Sequence, residues 1–168
     1  MSLIGDSTLY TVLPEAQIAA QLGLEVASVG LVLGVNRLVR LVFNPLAGSL
    51  YERFSRRWLL VISMLIGTAA TASYGIANGL PGVLVGRVLW GAAWAGIWVG
   101  AHAMILDVAE EENRGRLNGT YQVWFFLGLA ATALAGGTLT DLIGLRNTLW
   151  LGTGITGAAA LFWLWSLP

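Results

Sequence analysis

Long apolar stretches alternate along the chain with short breaks that carry charges, glycine or proline. Each stretch is close to the roughly 20 helical residues that cross a hydrocarbon core of about 30 Å. This pattern predicts six spans, at about 1–22, 26–51, 58–78, 81–106, 117–140 and 145–166. The predicted fold class is therefore all-α, an integral membrane helical bundle that forms a single domain over residues 1–168.

The first predicted span has the weakest pattern. Pro14, Glu15 and Gln17 interrupt it after a short apolar segment. Either the helix is broken there or its inner end lies outside this sequence, and we favour the second interpretation.

An internal repeat is visible in the loops. Gly48, Leu50, Glu52, Arg57 and Leu60 recur in the same order and spacing as Gly137, Leu139, Asp141, Arg146 and Leu149. A three-helix unit used twice would produce this offset. Because three is odd, the second copy crosses the membrane in the opposite direction, which predicts a 3+3 inverted repeat.

Composition supports lipid as the surrounding medium. Hydrophobic residues make up 57% of the chain and charged residues 11%, with a mean hydropathy of +0.74. The zero net charge and the lack of a basic patch argue against nucleic acid as a partner. The chain has no Cys and a single His, His102. No nucleophile, base and orienting group recur at catalytic spacing, so we expect no enzyme activity, no metal and no bound cofactor.

Arginine placement predicts the orientation of the bundle in the cell membrane. The 52–57 loop contains Arg53, Arg56 and Arg57, and the 110–117 loop contains Arg114 and Arg116. The alternate loops contribute only one Arg. Because Lys and Arg in short loops remain on the cytoplasmic side, we expect both Arg-rich loops to be cytoplasmic.

Several polar residues fall inside predicted spans. Counting about 1.5 Å per residue from each helix end places Arg37 and Arg40 roughly 16 and 21 Å deep, and Asp6 about 21 Å deep. Asn36, Arg37, Arg40 and Asn44 follow one another at helical spacing, which predicts a polar stripe with Asp6 as the counter-ion. Charges at this depth are costly and favour a pathway for a proton or an anionic solute. The alternative is a buried ion pair that only fixes helix register.

The fourth predicted span carries a further charge and an aromatic stripe. Arg87 lies near its outer start, where the side chain either faces the bundle or snorkels to the headgroups. Trp90, Trp94, Trp98 and His102 follow at four-residue spacing, which favours packing or lipid contact over a ligand cage. His102 is a weak candidate for proton transfer.

Small residues are dense in the fourth and fifth spans and indicate close helix approach. The glycines that we predict at helix contacts are Gly91, Gly96, Gly100, Gly128, Gly136 and Gly137.

Three motifs give the chain a family resemblance: it resembles the amino-terminal six-helix half of a major facilitator superfamily transporter. That family's loop between its second and third helices reads Gly-x-Leu-x-Asp-Arg-x-Gly-Arg-Lys or Arg. The corresponding residues here are Gly48, Leu50, Glu52, Arg53, Arg56 and Arg57, with Ser55 in place of Gly. The family's Arg-x-x-Gln-Gly appears as Arg87-Val-Leu-Trp90-Gly91. Its exporter motif in the fifth helix is incomplete, because Thr132 and Ala133 replace Gly-Pro.

The resemblance implies secondary active transport of a small solute by alternating access, with proton-coupled efflux as one form of it. It also implies a second six-helix half, a role for Arg87 in proton coupling or cavity polarity, and a cytoplasmic latch made by Glu52, Arg53, Arg56 and Arg57. The two intramembrane arginines favour an anionic solute. The alternative is a non-transporting membrane receptor or assembly module that retains the transporter fold.

Overall fold

The computed structural model describes residues 4–166, which form seven α-helices and no strand. The helices are α1 (Ile4–Val12), α2 (Ala16–Gln21), α3 (Val26–Arg53), α4 (Arg56–Ile76), α5 (Leu80–Val108), α6 (Arg114–Ile143) and α7 (Leu145–Ser166). The all-α prediction is therefore confirmed for the described part of the chain.

The first predicted span, 1–22, is not one continuous helix. It contains α1 and α2, separated by residues 13–15. Pro14 has no backbone N–H to continue the ladder, and the Glu15 N–H instead donates to the Val12 carbonyl at 3.1 Å. Residues 1–3 of this span lie outside the described residues.

A glycine turn ends α2 and connects it to the loop before α5. Gly23 has a positive φ of 67°, and the Leu24 N–H donates to the Ala19 carbonyl at 3.0 Å, as in a Schellman cap. The Gly79 N–H donates to the Leu22 carbonyl at 2.7 Å. The bond from Gly79 holds the C-terminal end of α2 against the loop between α4 and α5.

Four helices in the described range are long and apolar enough to cross a membrane: α3, α4, α5 and α6. The windows that qualify in α3 and α6 are only 17% and 11% buried, against 50% in α4 and 44% in α5. Helices α4 and α5 therefore form the centre of the bundle, whereas α3 and α6 present most of their surface outward.

The packing relates two helix triplets, in agreement with the predicted inverted repeat. In the first triplet, α1 and α2 together count as the first helix, followed by α3 and α4. The second triplet is α5, α6 and α7. The middle helix of each triplet packs on the first helix of the other, as α3 on α5 and α6 on α1. The third helix of each also packs on the first of the other, and the two third helices, α4 and α7, pack on each other.

Two repeat-related arginines fasten α4 to α7 at opposite ends. Arg57, in the first turn of α4, donates from Nη2 to the Leu164 carbonyl near the end of α7 at 2.6 Å. Arg146, in the first turn of α7, donates from Nη1 to the Gly75 carbonyl near the end of α4 at 3.2 Å, and from Nη2 to Asn78 Oδ1 at 2.8 Å. Each arginine thus supplies donors to carbonyls that helix ends leave without partners.

Candidate functional site

A cavity of about 620 Å³ lies among α1, α3, α5 and α6. Four of the predicted pathway residues line it: Asp6, Arg37, Arg40 and Asn44. The fold therefore brings an acidic residue of α1 and two arginines of α3 to one cavity.

Asp6 forms a buried ion pair with Arg87. Arg87 Nη1 donates to Asp6 Oδ1 at 2.5 Å, with Arg87 0% and Asp6 7% exposed. Asp6 was expected to be the counter-ion of Arg37 and Arg40, but its direct ion pair is with Arg87, and it attracts Arg40 only at longer range. The physical reason is helix rotation: Arg87 lies on the buried side of α5, whereas the Arg37 side chain is exposed on α3.

Arg87 joins three helices. Its Nε donates to the Val32 carbonyl of α3 at 3.1 Å, and its own carbonyl accepts from Asn36 Nδ2 at 3.5 Å. Its guanidinium lies 4.9 Å from the ring centroid of Tyr10 in α1. The snorkelling interpretation of Arg87 is therefore wrong, because these partners hold the side chain inside the bundle.

The predicted polar stripe of α3 is divided between two environments. Asn36 is fully buried against α5, whereas Arg37 and Asn44 are exposed and Arg40 is partly buried. Consecutive helical residues point about 100° apart, so Asn36 and Arg37 cannot share one face. Asn36 contributes to helix contact, and the other three contribute to the cavity.

Aromatic side chains form the cavity wall facing α3. Arg40 Cζ lies 4.3 Å from the ring centroid of Trp94, and Trp94 stacks on Trp98 with centroids 5.8 Å apart. Phe125 of α6 meets Trp98 edge to face at 5.2 Å, and Phe126 also lines the cavity. The tryptophan stripe is therefore shared between packing and the cavity, because Trp90 is fully buried while Trp94 and Trp98 are partly exposed.

His102 continues the aromatic stripe beyond the cavity. Its ring lies 4.5 Å from Trp98 and 5.2 Å from Tyr121, centroid to centroid, and its Nδ1 lies 2.8 Å from the Trp98 carbonyl oxygen. These contacts place His102 at the end of an aromatic column on α5, where it is not part of the cavity lining.

Comparison with known proteins decides the family. The family model described as Major Facilitator Superfamily matches residues 1–168. The chain belongs to the major facilitator superfamily. This confirms the resemblance seen in the motifs and the prediction of a membrane helical bundle. Proteins of this superfamily are transporters and not enzymes.

Individual relatives are similar over much of the chain. It is 24% identical over 168 residues to the inner membrane transport protein YajR of Escherichia coli, which covers all of this chain and 36% of that protein. It is 28% identical over 116 residues to the MFS-type transporter TOXA of Cochliobolus carbonum, covering 69% of this chain and 21% of the relative. It is 25% identical over 119 residues to the MFS-type efflux transporter pyiT of Pyricularia grisea, covering 71% of this chain and 20% of the relative. The chain thus spans about a third or less of the length of the relatives that it matches.

The loop that resembles the superfamily motif is tied to the bundle by its arginines. Arg56 forms an ion pair with Asp107 at the end of α5 and donates to the Ala103 carbonyl at 2.7 Å. Arg57 caps α7, as described above. Glu52 and Arg53 are exposed at the end of α3, whereas Gly48 and Leu50 lie one turn earlier and are partly buried.

The six glycines that we predicted at helix contacts differ in their surroundings. A Cβ at Gly91 would lie 2.7 Å from Val39 Cγ1, and at Gly96, Gly100 or Gly136 it would overlap Ser63, Tyr51 or Thr8. At Gly137 it would meet only Thr11, at 3.8 Å, and at Gly128 it would meet no atom within 4 Å. Gly128 is therefore not at a helix contact within the described residues.

Sequence reasoning missed several residues of the site. Tyr10 lines the cavity and also donates to the Leu33 carbonyl at 3.1 Å, which joins α1 to α3. Phe125 and Phe126 complete the aromatic wall, and Asp107 is the partner of Arg56. The four-residue spacing of Trp94 and Trp98 was the available signal, but it does not show which side of α5 faces a cavity.

Proposed function

We propose that this chain is the amino-terminal six-helix half of a secondary active transporter that moves a small solute by alternating access. The observation that supports this most is a charged cavity inside an apolar bundle. Asp6, Arg37 and Arg40 line one space of about 620 Å³, a volume suited to a small organic molecule. Ionisable groups are retained within a membrane segment mainly where they face a polar pathway.

The buried pair of Asp6 and Arg87 offers a route to proton coupling. Asp6 faces the cavity while its Oδ1 accepts from Arg87. Protonation of Asp6 would remove the counter-charge of a fully buried guanidinium, which is energetically costly. The bundle would relieve this cost by changing the packing of α1 against α5. Proton binding to Asp6 and the change in helix packing would then be coupled. Each would shift the equilibrium of the other by the same free energy.

A second six-helix half is the partner that this proposal requires. The relatives are much longer than this chain, and α3 and α6 expose most of their surface. We propose that the second half covers the cavity and contacts Glu52 and Arg53 as a latch, with the 52–57 and 110–117 loops in the cytoplasm. A thiol introduced by Ser55→Cys should then react with an impermeant reagent only from the cytoplasmic side, and reaction from outside would overturn this orientation.

Export is the direction that we propose, driven by uptake of protons. Three of the similar proteins carry the printed name of an efflux pump or efflux transporter. The Asp6 and Arg87 pair supplies a site where proton uptake would change the structure.

The experiment is a flux measurement on the full-length protein in proteoliposomes containing a pH-sensitive dye. Addition of a panel of organic anions and cations across a pH gradient should produce solute-dependent proton movement for at least one solute. Asp6→Asn should abolish the proton movement, and Arg37→Ala should abolish solute movement. Glu110→Gln, at an exposed loop residue, is the control and should behave like the unchanged protein.

Two results would contradict the proposal. Folded protein that moves no solute in either direction would favour a receptor or assembly module, especially if partner binding survives Asp6→Asn. Solute movement that is unchanged in both cavity variants would mean that the pathway runs elsewhere.

A further inference from the structure

The charges of the cavity are not balanced within the described residues. The only ion pairs in that range are Arg87 with Asp6 and Arg56 with Asp107. Asp6 is the one acidic side chain among the cavity lining, and Arg87 already engages it. Arg37 and Arg40 therefore form no direct ion pair with a carboxylate of the described residues. Asp6 attracts Arg40 at longer range, but one carboxylate cannot balance three arginines, so the cavity keeps an excess of positive charge.

Arg40 is held in a geometry that leaves its donors available. Its guanidinium lies over the indole of Trp94, with Cζ 4.3 Å from the ring centroid. A guanidinium stacked on an aromatic face keeps its N–H groups at the edge of the plane, free for acceptors. Its buried Nε has no hydrogen-bond partner in the part of the chain that the structure describes. An anionic group in the cavity would supply a counter-charge for this partly exposed guanidinium.

The wall beside Arg40 is aromatic. Trp98 and Phe125 meet edge to face at 5.2 Å, and both line the cavity with Phe126. Aromatic rings prefer offset or edge-to-face contact with other rings. The cavity therefore combines two arginines at one wall with ring surfaces at the adjacent wall.

From this combination we infer that the solute class is an organic anion with an aromatic body, whose anionic group pairs with Arg40 and Arg37 and whose ring packs against Trp98 and Phe125. This inference rests on the proposed transport function and specifies its substrate class. The paired state of Asp6 is what makes it possible, because an unpaired carboxylate would neutralise one arginine and repel the anion.

The test is equilibrium binding to the full-length protein in lipid nanodiscs with three matched probes. The probes are 2-naphthoate, decalin-2-carboxylate with the same charge and a saturated body, and 2-naphthylmethylammonium with the same rings and the opposite charge. We expect 2-naphthoate to bind at least about tenfold more tightly than either of the others.

Substitutions test which side chain binds the anionic group of the ligand and which one contacts its ring. Arg40→Gln should weaken 2-naphthoate and decalin-2-carboxylate by about tenfold or more, as expected for loss of a charged hydrogen bond. Trp98→Leu should weaken 2-naphthoate alone. Arg116→Gln and Trp165→Leu make the same chemical changes at exposed residues outside the cavity and should leave binding unchanged. If Arg40→Gln fails to fold, Arg37→Gln, at an exposed side chain, tests the same charge effect.

Equal binding of all three probes, or tighter binding of the ammonium probe, would overturn the inference. So would unchanged 2-naphthoate affinity in folded Arg40→Gln and Arg37→Gln variants. These outcomes are separable from failure of the transport proposal. Specific 2-naphthoate binding without flux would contradict transport alone, whereas coupled flux of a cation without 2-naphthoate binding would contradict only the substrate class.

Discussion

The buried pair of Asp6 and Arg87 is the residue-scale feature on which the site depends. Each side chain compensates the other where little water is available, and Arg87 also binds the Val32 carbonyl. Removing one partner of such a pair leaves an uncompensated buried charge, whereas removing both leaves none. The pair therefore stabilises the contact of α1 with α5 only while both members are present.

A double-mutant cycle at this pair tests that description. Arg87→Gln alone leaves the Asp6 carboxylate uncompensated and should destabilise the protein by about 3–5 kcal/mol. Asp6→Asn alone should have a similar effect. The double variant should be more stable than the sum of the single effects predicts. Thermal unfolding of the full-length protein in detergent measures all three, and strictly additive effects would contradict the ion pair.

Two glycines of α6 provide a matched comparison. Alanine at Gly136 would place its Cβ 2.9 Å from Thr8 Cβ and 3.1 Å from Thr8 Cα, so α1 would have to move. We expect Gly136→Ala to destabilise by about 1–3 kcal/mol through overpacking. Gly128→Ala meets no atom within 4 Å in this chain and should be neutral or stabilising by up to about 1 kcal/mol from helix propensity.

The same unfolding assay separates the two glycine variants. A neutral Gly136→Ala variant would mean that α1 and α6 are less closely packed than the structure shows. Equal losses at both positions would indicate a general cost of alanine in α6 and not a contact with α1.

At the scale of elements, the seam between α4 and α7 is closed at both ends by Arg57 and Arg146. The two arginines are related by the internal repeat, and each donates to the last carbonyls of the opposite helix. Each bond to a charged donor contributes about 1.5–3 kcal/mol. The two ends are separated by almost the full length of α4, so their contributions should be independent.

Arg57→Gln and Arg146→Gln should therefore each lower the unfolding temperature, and the double variant should lower it by the sum of the two shifts. Arg116→Gln is the control, because Arg116 is exposed in the first turn of α6. Loss at only one end would contradict the symmetric seam. Scanning calorimetry of the full-length protein gives the three shifts.

The sequence showed that Arg57 and Arg146 are related by the repeat, but it predicted neither their contacts between α4 and α7 nor the ion pair of Asp6 with Arg87. Asp6 had three possible partners in Arg37, Arg40 and Arg87. The choice among them depends on how each helix is rotated, and apolar periodicity shows rotation poorly where lipid and protein both favour apolar residues. The interruption at Pro14 was also visible in the sequence, and the structure has two separate helices there, α1 and α2.

At the scale of the whole molecule, the chain has a buried centre and two helices that face outward. Helices α4 and α5 are half or nearly half buried, whereas α3 and α6 expose most of their surface. Two of the elements that line the cavity, α3 and α6, are therefore the ones that a second half would cover. In the proposed alternating-access mechanism, motion of the two halves would open and close the cavity without repacking of α4 against α5.

The most direct test of the central claim is whether water reaches the cavity wall of α3. The chain has no native Cys, so Asn44→Cys at the cavity and Leu161→Cys on the exposed side of α7 give comparable single thiols in a full-length protein cleared of other cysteines. Reaction rates with an impermeant thiol reagent should be high for Asn44→Cys and at background for Leu161→Cys. An unreactive thiol at position 44, with the protein folded and the reagent applied from both sides of the membrane, would contradict an aqueous pathway beside Asp6, Arg37 and Arg40.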